Sequence, residues 1–237
     1  MVPAASSLWK SFYRLFKDFL LPRYCLTCGR LLTPKDLLLC PRCRPHLKHN
    51  PSPCPLCGHP YQGGTPCPAC SLEAPPFSHT LAPFIYAPPL SLALRELKYK
   101  KRIHLVREIA PLWRETAGKG LPADFLVCPV PLHRRRLLER GFNQSLLLAR
   151  EIFGKKRVKE LLVRHRATSP QAALPRKERL KNVKGAFKLR KGAEIAGRKI
   201  LLFDDIFTTG ATLRECAGVL LKAGAAEIRV AVVARAE

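Results

Sequence analysis

The chain is 237 residues long and 47% hydrophobic, which allows one sizeable core with a smaller appendage and excludes a disordered chain. Its 42 Lys and Arg against 17 Asp and Glu leave a formal charge of +25, which predicts attraction to polyanions and says nothing about fold. Ten cysteines without a recognisable secretory signal argue for metal sites or buried thiols over disulfides.

The opening stretch SSLWKSFYRLFKDFLLPRYC is interrupted by Lys10, Arg14, Lys17 and Asp18, so it reads as neither a signal peptide nor a membrane span. Trp9, Phe12, Phe16 and Phe19/Leu20 recur at helical spacing and describe an amphipathic helix. Such a helix packs on its own protein or docks on a membrane or partner.

Four CxxC pairs follow: Cys25/Cys28, Cys40/Cys43, Cys54/Cys57 and Cys67/Cys70, separated by 11, 10 and 9 residues. Two thiolates on a tight turn grip a tetrahedral ion from one side, and a second pair completes the four-sulfur shell that Zn²⁺ favours. Two structural zinc sites are expected, most simply Cys25/Cys28/Cys40/Cys43 and Cys54/Cys57/Cys67/Cys70, although spacing also permits an interleaved set. A redox CxxC usually comes singly beside a strand, which disfavours that role here. The Pro-rich stretch Glu73 to Pro76 closes this module, giving a helix plus double zinc-ribbon-like unit over residues 1–75 and a second domain over 76–237.

Beyond it, apolar runs alternate with helical periodicity, as an α/β domain with a mostly parallel sheet requires. Strands are expected at Thr80 to Tyr86, Phe125 to Val130, Glu160 to Val163, Lys199 to Phe203 and Ile228 to Val233. Helices are expected at Leu90 to Tyr99, Ile103 to Thr116, Asn143 to Phe153 and Thr212 to Ala223. Cys128 and Cys216 fall on core positions and read as small buried hydrophobes. Residues 131–191 carry 19 basic side chains against four acidic ones, either a solvated surface or a phosphate-facing groove.

The stretch LLFDDIFTTGAT at 201–212 ends an apolar strand on two carboxylates and turns through Thr-Thr-Gly into a helix. Ligands of open parallel sheets sit at the carboxyl ends of strands, and a helix start directs N–H groups and a positive dipole at an anion. Thr208, Thr209, Gly210, Ala211 and Thr212 have that position, while Asp204 and Asp205 are acceptors suited to paired sugar hydroxyls. No GKS or GKT follows, so a Walker A loop is excluded.

This stretch resembles the phosphoribosyl-pyrophosphate (PRPP) loop of type I phosphoribosyltransferases. VPLHRRRLLERGFNQSLLLAR at 130–150, ATSPQAALPRKERLKNVKGAF at 167–187, LKYKKR at 97–102 and the double cysteine module narrow the resemblance to the ComF family, competence protein F relatives linked to DNA uptake. The resemblance runs from Cys25 to Arg235. It implies a type I phosphoribosyltransferase-like, mostly parallel sheet with flanking helices behind a small four-cysteine zinc-binding module. It also implies Asp204 and Asp205 as catalytic acids, residues 208–212 as the PRPP loop, and pyrophosphate contacts from among Arg134, Arg135, Arg136 and Arg140. Thr168, Gln171, Arg179 and Asn182 would form a flap or an ordinary basic hairpin, and Lys98, Lys100, Lys101 and Arg102 could reach phosphate or DNA.

Transfer would displace pyrophosphate at the ribose anomeric carbon, with Mg²⁺ neutralising its charge and no covalent nucleophile. The acceptor is not legible, since no glutaminase segment or base-reading loop is recognisable. The missing signal and reduced-looking thiols lead to the expectation of a cytoplasmic protein, at most lying on the inner membrane face, and the resemblance implies that it binds PRPP or a nucleotide. Single-stranded DNA and uptake helicase or channel proteins would be its partners, with Phe142 and Phe187 as stacking candidates. The competing expectations are a metabolic phosphoribosyltransferase acting on a small nitrogenous acceptor, and a zinc adaptor that has lost its ligand.

Overall fold

The computed structural model describes residues 22–33, 36–63, 66–117, 123–167 and 182–236. The expected N-terminal amphipathic helix, and Thr168, Gln171 and Arg179, lie outside the described residues. The described strands are β1 (His79–Leu81), β2 (Phe84–Ile85), β3 (Leu126–Pro129), β4 (Leu162–Arg164), β5 (Phe187–Leu189), β6 (Lys199–Phe207) and β7 (Glu227–Arg235). The helices are α1 (Pro68–Leu72), α2 (Leu90–Tyr99), α3 (Leu105–Ala117), α4 (Arg134–Arg140), α5 (Gln144–Phe153) and α6 (Ala211–Lys222).

The main sheet is wholly parallel among the described strands, in the order β1–β7–β6–β3, with β2 also beside β7. β6 and β7 are buried along most of their length, as central strands covered on both faces must be. On one face Leu201, Phe203, Ala231 and Val233 meet α2, α3 and α5, where Trp113, Phe153 and Phe203 pack edge to face. On the other, Ile200, Leu202, Val230 and Val232 meet Leu213, Cys216, Ala217 and Leu220 of α6, and the antiparallel β4–β5 pair closes that side. Cys128 and Cys216 are fully buried there, and burial pushes the Cys128 thiol up to about 12, so both act as apolar fillers.

Three expectations change. The strand expected over Thr80 to Tyr86 is two short strands, because Pro83 has no N–H for a ladder. β6 does not stop at Phe203 but pairs with β7 as far as Phe207 opposite Arg235, carrying both acids inside the strand. Arg134–Arg140, which is not among the helices expected from the sequence, forms one, with His133 accepting from Arg135 N–H at its start and Gly141 closing it at φ 85.

The cysteine module is built onto this sheet. Its two knuckles repeat one geometry: Cys25 and Cys54 N–H groups donate to Arg30 and His59 carbonyls, and Gly29 and Gly58 N–H groups donate back to Cys25 and Cys54. Cys25, Cys40 and Cys43 belong to the same hydrophobic cluster as α2, α3 and β6, whereas Cys54, Cys67 and Cys70 form a small separate one. The chain between the two ribbons pairs with the β2 edge, Asn50 N–H donating to Pro83 and Ile85 N–H to Lys48. Gly58 sits against β1, where an added Cβ would lie 2.8 Å from that of Ala82.

Candidate functional site

The site lies at the carboxyl end of the parallel sheet, where β6 runs past β3 and α5 begins. Asn143 fixes that beginning: its side-chain oxygen accepts from the N–H groups of Ser145 and Leu146, and its amide donates to the Val130 carbonyl at 3.0 Å. The first two residues of α5 then reach the acids. Ser145 Oγ donates to Asp204 Oδ1 at 2.7 Å, and Gln144 Nε2 donates to Asp205 Oδ1 at 3.1 Å. The Asp205 N–H also donates to Asp204 Oδ1 at 2.9 Å, and Lys98 of α2 forms an ion pair with Asp205 Oδ2.

These neighbours separate the two carboxyls. Burial, and then the charge of Asp205, raise Asp204 to about 7. Burial acts the same way on Asp205, but Lys98 and the hydrogen bonds from Lys98 and Gln144 outweigh it and hold Asp205 below the usual carboxylate range.

Both acids open into a cavity of about 370 Å³ whose wall also carries Arg95, Lys98, Arg136 and Arg164. Arg164 is nearly buried, its guanidinium 5.3 Å from the Phe187 ring centre. Burial and then the Arg136 charge lower its pKa, and both guanidiniums lie on the wall of this one cavity. Like charges held together on one wall form a receptor for an anion. Thr208 and Thr212 line the same cavity, and a smaller space of about 30 Å³ lies between Thr208, Gly210, Ala211 and Thr212 at the start of α6. Thr209 Oγ1 accepts from Ala211 N–H at 3.4 Å, and Arg235 holds the loop by donating to the carbonyls of Phe207 and Thr208.

The eight cysteines gather into two clusters, Cys25/Cys28/Cys40/Cys43 and Cys54/Cys57/Cys67/Cys70, with the sulfurs of each within 4.8 Å of one another. Cys28 to Cys40 is 3.7 Å and Cys57 to Cys67 is 3.6 Å. A tetrahedron with Zn–S bonds of about 2.3 Å has edges of about 3.8 Å, so the sulfurs fit the ion. Cys40 and Cys67 N–H groups donate to the sulfurs of Cys25 and Cys54, supporting those thiolates from outside the shell. The sequential assignment therefore holds over the interleaved one.

A family model described as a double zinc ribbon domain matches residues 16–71, and one described as a phosphoribosyl transferase domain matches residues 146–237. The chain is 34% identical to the "DNA utilization protein YhgH" of Escherichia coli, over 87% of each chain. It is 31% identical to the "Competence protein F" of Haemophilus influenzae over 90% of this chain and 96% of that one. The chain belongs to the ComF family. The "Competence protein ComFC" of Bacillus subtilis is 30% identical over 83% of this chain and 82% of that one.

In this ComF chain the structure brings Asp204, Asp205, Thr208 and Thr212 to the main cavity, with Gly210 and Ala211 at the adjoining space. Arg140 donates to Gln144, itself bonded to Asp205. Arg134 and Arg135 are exposed outside the cavity wall, and Arg135 pairs with Glu139, while Arg136 takes the inward place. Lys100 and Arg102 pair with Glu96 and leave Lys98 as the inward cation of that group. Phe187 is buried and Phe142 packs against the core, whereas Tyr99 stands 72% exposed under Arg140. Sequence reasoning did not single out Gln144, Ser145, Arg164, Tyr86 and Tyr99 for this site. An N-cap Asn before a helix that begins with Gln-Ser was the available signal for the first two.

Proposed function

We propose that the cavity binds the ribose 5-phosphate part of PRPP or of a nucleotide, in a cytoplasmic protein that serves DNA uptake. One observation carries the reading: the acid pair, the Thr208–Thr212 turn at the start of α6, and Arg136 with Arg164 converge on a single cavity. The carboxylate side accepts sugar hydroxyls. The N–H groups of the turn meet the 5-phosphate, and the two guanidiniums meet the pyrophosphate or a second phosphate. Mg²⁺ would arrive with the pyrophosphate and neutralise its charge, since Asp205 is already committed to Lys98 and Gln144.

The names of the relatives support the DNA side of the reading, as does the +25 charge. Single-stranded DNA would bind the exposed basic side chains mainly through its phosphates, with affinity falling steeply as salt rises. An uptake helicase or channel protein is the other partner. Among the described residues no helix is long and apolar enough to cross a membrane.

A second reading, transfer of the ribosyl group to a small nitrogenous acceptor, is favoured by the acid pair itself, because a scaffold needs no two adjacent carboxyls at a cavity wall. The test uses the whole zinc-loaded chain, since the first ribbon shares the main core. PRPP with Mg²⁺ is titrated into wild type and Asp204→Asn/Asp205→Asn while pyrophosphate release is followed. Saturable binding lost in the variant supports the ribose-phosphate site, and release dependent on an added acceptor supports transfer. Absence of binding in both proteins overturns the reading and leaves salt-dependent DNA binding as the function to measure.

A further inference from the structure

The two acids are adjacent in sequence but differ in what they have left to offer. Asp205 is nearly buried, and both of its oxygens are engaged by the protein, Oδ1 by Gln144 and Oδ2 by Lys98. Asp204 Oδ1 takes Ser145 and the Asp205 N–H, and its Oδ2 has no protein donor among the described residues. A sugar diol entering the cavity therefore finds one open acceptor on the pair. To reach Asp205 it would have to displace the partly buried Lys98 ammonium from a buried carboxylate, leaving that ammonium without its partner.

We propose that the acids have separate tasks: Asp204 takes the ligand hydroxyls, and Asp205 holds Lys98 and Gln144 in place, making Lys98 a positioning residue of the sugar site. This rests on the ribose-phosphate reading. Lys98 projects from α2 at the last turn before Tyr99, Gln144 from the first turn of α5, and Asp205 from β6, so one carboxylate ties three elements together at the cavity floor. Arg140 extends the chain of contacts through Gln144 Oε1. The charges that reach Asp204 come from Asp205 on its own strand, Lys98 on α2 and Arg164 on β4, with Arg95 and Arg136 on the same cavity wall, while burial keeps the Cys216 thiol on α6 neutral. Among them Lys98 favours the ionised, hydroxyl-accepting form of Asp204 and Asp205 opposes it.

Calorimetric titration of the full zinc-loaded chain with ribose 5-phosphate tests the division, using Asp204→Asn, Asp205→Asn, Lys98→Met, Lys98→Arg and the Lys98→Met/Asp205→Asn double variant. Binding is expected to be lost in Asp204→Asn. It is expected to weaken about tenfold in Lys98→Met and in Asp205→Asn, the scale of one charge-assisted hydrogen bond, and no further in the double variant, because both changes open the same contact. The pH at which binding develops should move up in Lys98→Met and return in Lys98→Arg, which a purely structural role would not produce. Equal loss in both single acid variants with Lys98→Met near wild type overturns the division, as do losses that multiply in the double variant. Absence of binding in the wild type overturns the ribose-phosphate reading and this proposal together, an outcome distinct from both.

Discussion

Glu108 of α3 accepts the backbone N–H of Leu38 through Oε2 at 2.7 Å, joining the first zinc ribbon to the core of the sheet domain. Both groups are buried. Glu108→Ala removes the acceptor and leaves that N–H without a partner, at a cost of about 1–3 kcal/mol. The Arg44 to Glu115 ion pair spans the same boundary but is exposed, where such pairs contribute about 0–1 kcal/mol. Scanning calorimetry should therefore show a clear fall in Tm for Glu108→Ala and a small one for Glu115→Ala. Equal falls would mean that the buried bond adds nothing beyond surface charge.

The two zinc centres should differ in how much of the fold they hold. Cys40 lies in the main hydrophobic cluster with Phe84, Trp113 and Phe203, while Cys67 lies in the small separate one. Structural zinc contributes about 10–16 kcal/mol to small metal-folded units, comparable with the whole stability of a domain. Cys40→Ser is expected to lower the main unfolding transition and expose the Trp113 environment to quenching. Cys67→Ser is expected to free one zinc with a smaller change in that transition. Identical melting curves for the two variants would contradict this difference.

Gly210 combines a φ of +77 with close packing, since an added Cβ would lie 2.5 Å from the Phe207 ring. Gly210→Ala forces either the turn or the ring to move, at about 1–3 kcal/mol of local strain. The turn precedes α6 and meets the sheet only at Phe207, the last residue of β6, so circular dichroism should be nearly unchanged while PRPP affinity falls by at least tenfold. Wild-type affinity in this variant would remove residues 208–212 from the phosphate site.

Much of this architecture is legible in one dimension because its signals are local. The CxxC spacing brings the ligands of each zinc centre together, and the apolar periodicity of Leu213, Cys216, Ala217 and Leu220 marks the inner face of α6. What the sequence hides is set by long-range partners. The acids look like a strand end because carboxylates are poor strand formers, yet β6 continues through them, since Ser145, Gln144 and Lys98 satisfy their side chains from two helices. Arg134, Arg135 and Arg136 are equivalent by composition, and only the rotation of α4 turns Arg136 inward. Arg164 enters the site because an isolated parallel bridge sets it beside His133, a pairing that spans 31 residues and has no local trace.

The acid pair makes stability at neutral pH depend on Asp204. Its folded pKa, about 7, lies above the value of 3.8 expected when unfolded, so the folded state binds the proton more tightly. Its ionisation therefore costs nothing below about pH 4, and the cost grows as pH rises to about 7. Asp204→Asn removes an unfavourable charge while keeping an acceptor for Ser145 Oγ. The variant should melt above wild type at pH 8, with the difference shrinking as pH falls towards 4. Asp205 has the opposite sign, its lowered pKa favouring folding above its unfolded value, so Asp205→Asn should melt below wild type at pH 8. Thermal melts across this pH range check both signs, and a common direction for the two variants would contradict the assignment.

Arg136 and Arg135 are adjacent on α4, and their substitutions separate ligand contact from surface charge. Arg136 lines the cavity together with Arg164, whereas Arg135 is exposed and paired with Glu139. Each substitution by Met removes one positive charge and preserves helix propensity, so the long-range effect on an anion is nearly the same for both. A guanidinium in contact with phosphate contributes on the order of 1.5–3 kcal/mol, a factor of about 10–150 in affinity. Arg136→Met should thus weaken PRPP binding by at least tenfold and Arg135→Met by less than about twofold, while both reduce DNA affinity modestly at low salt. Equal losses for PRPP would make attraction to this face a matter of summed charge and remove Arg136 from the site.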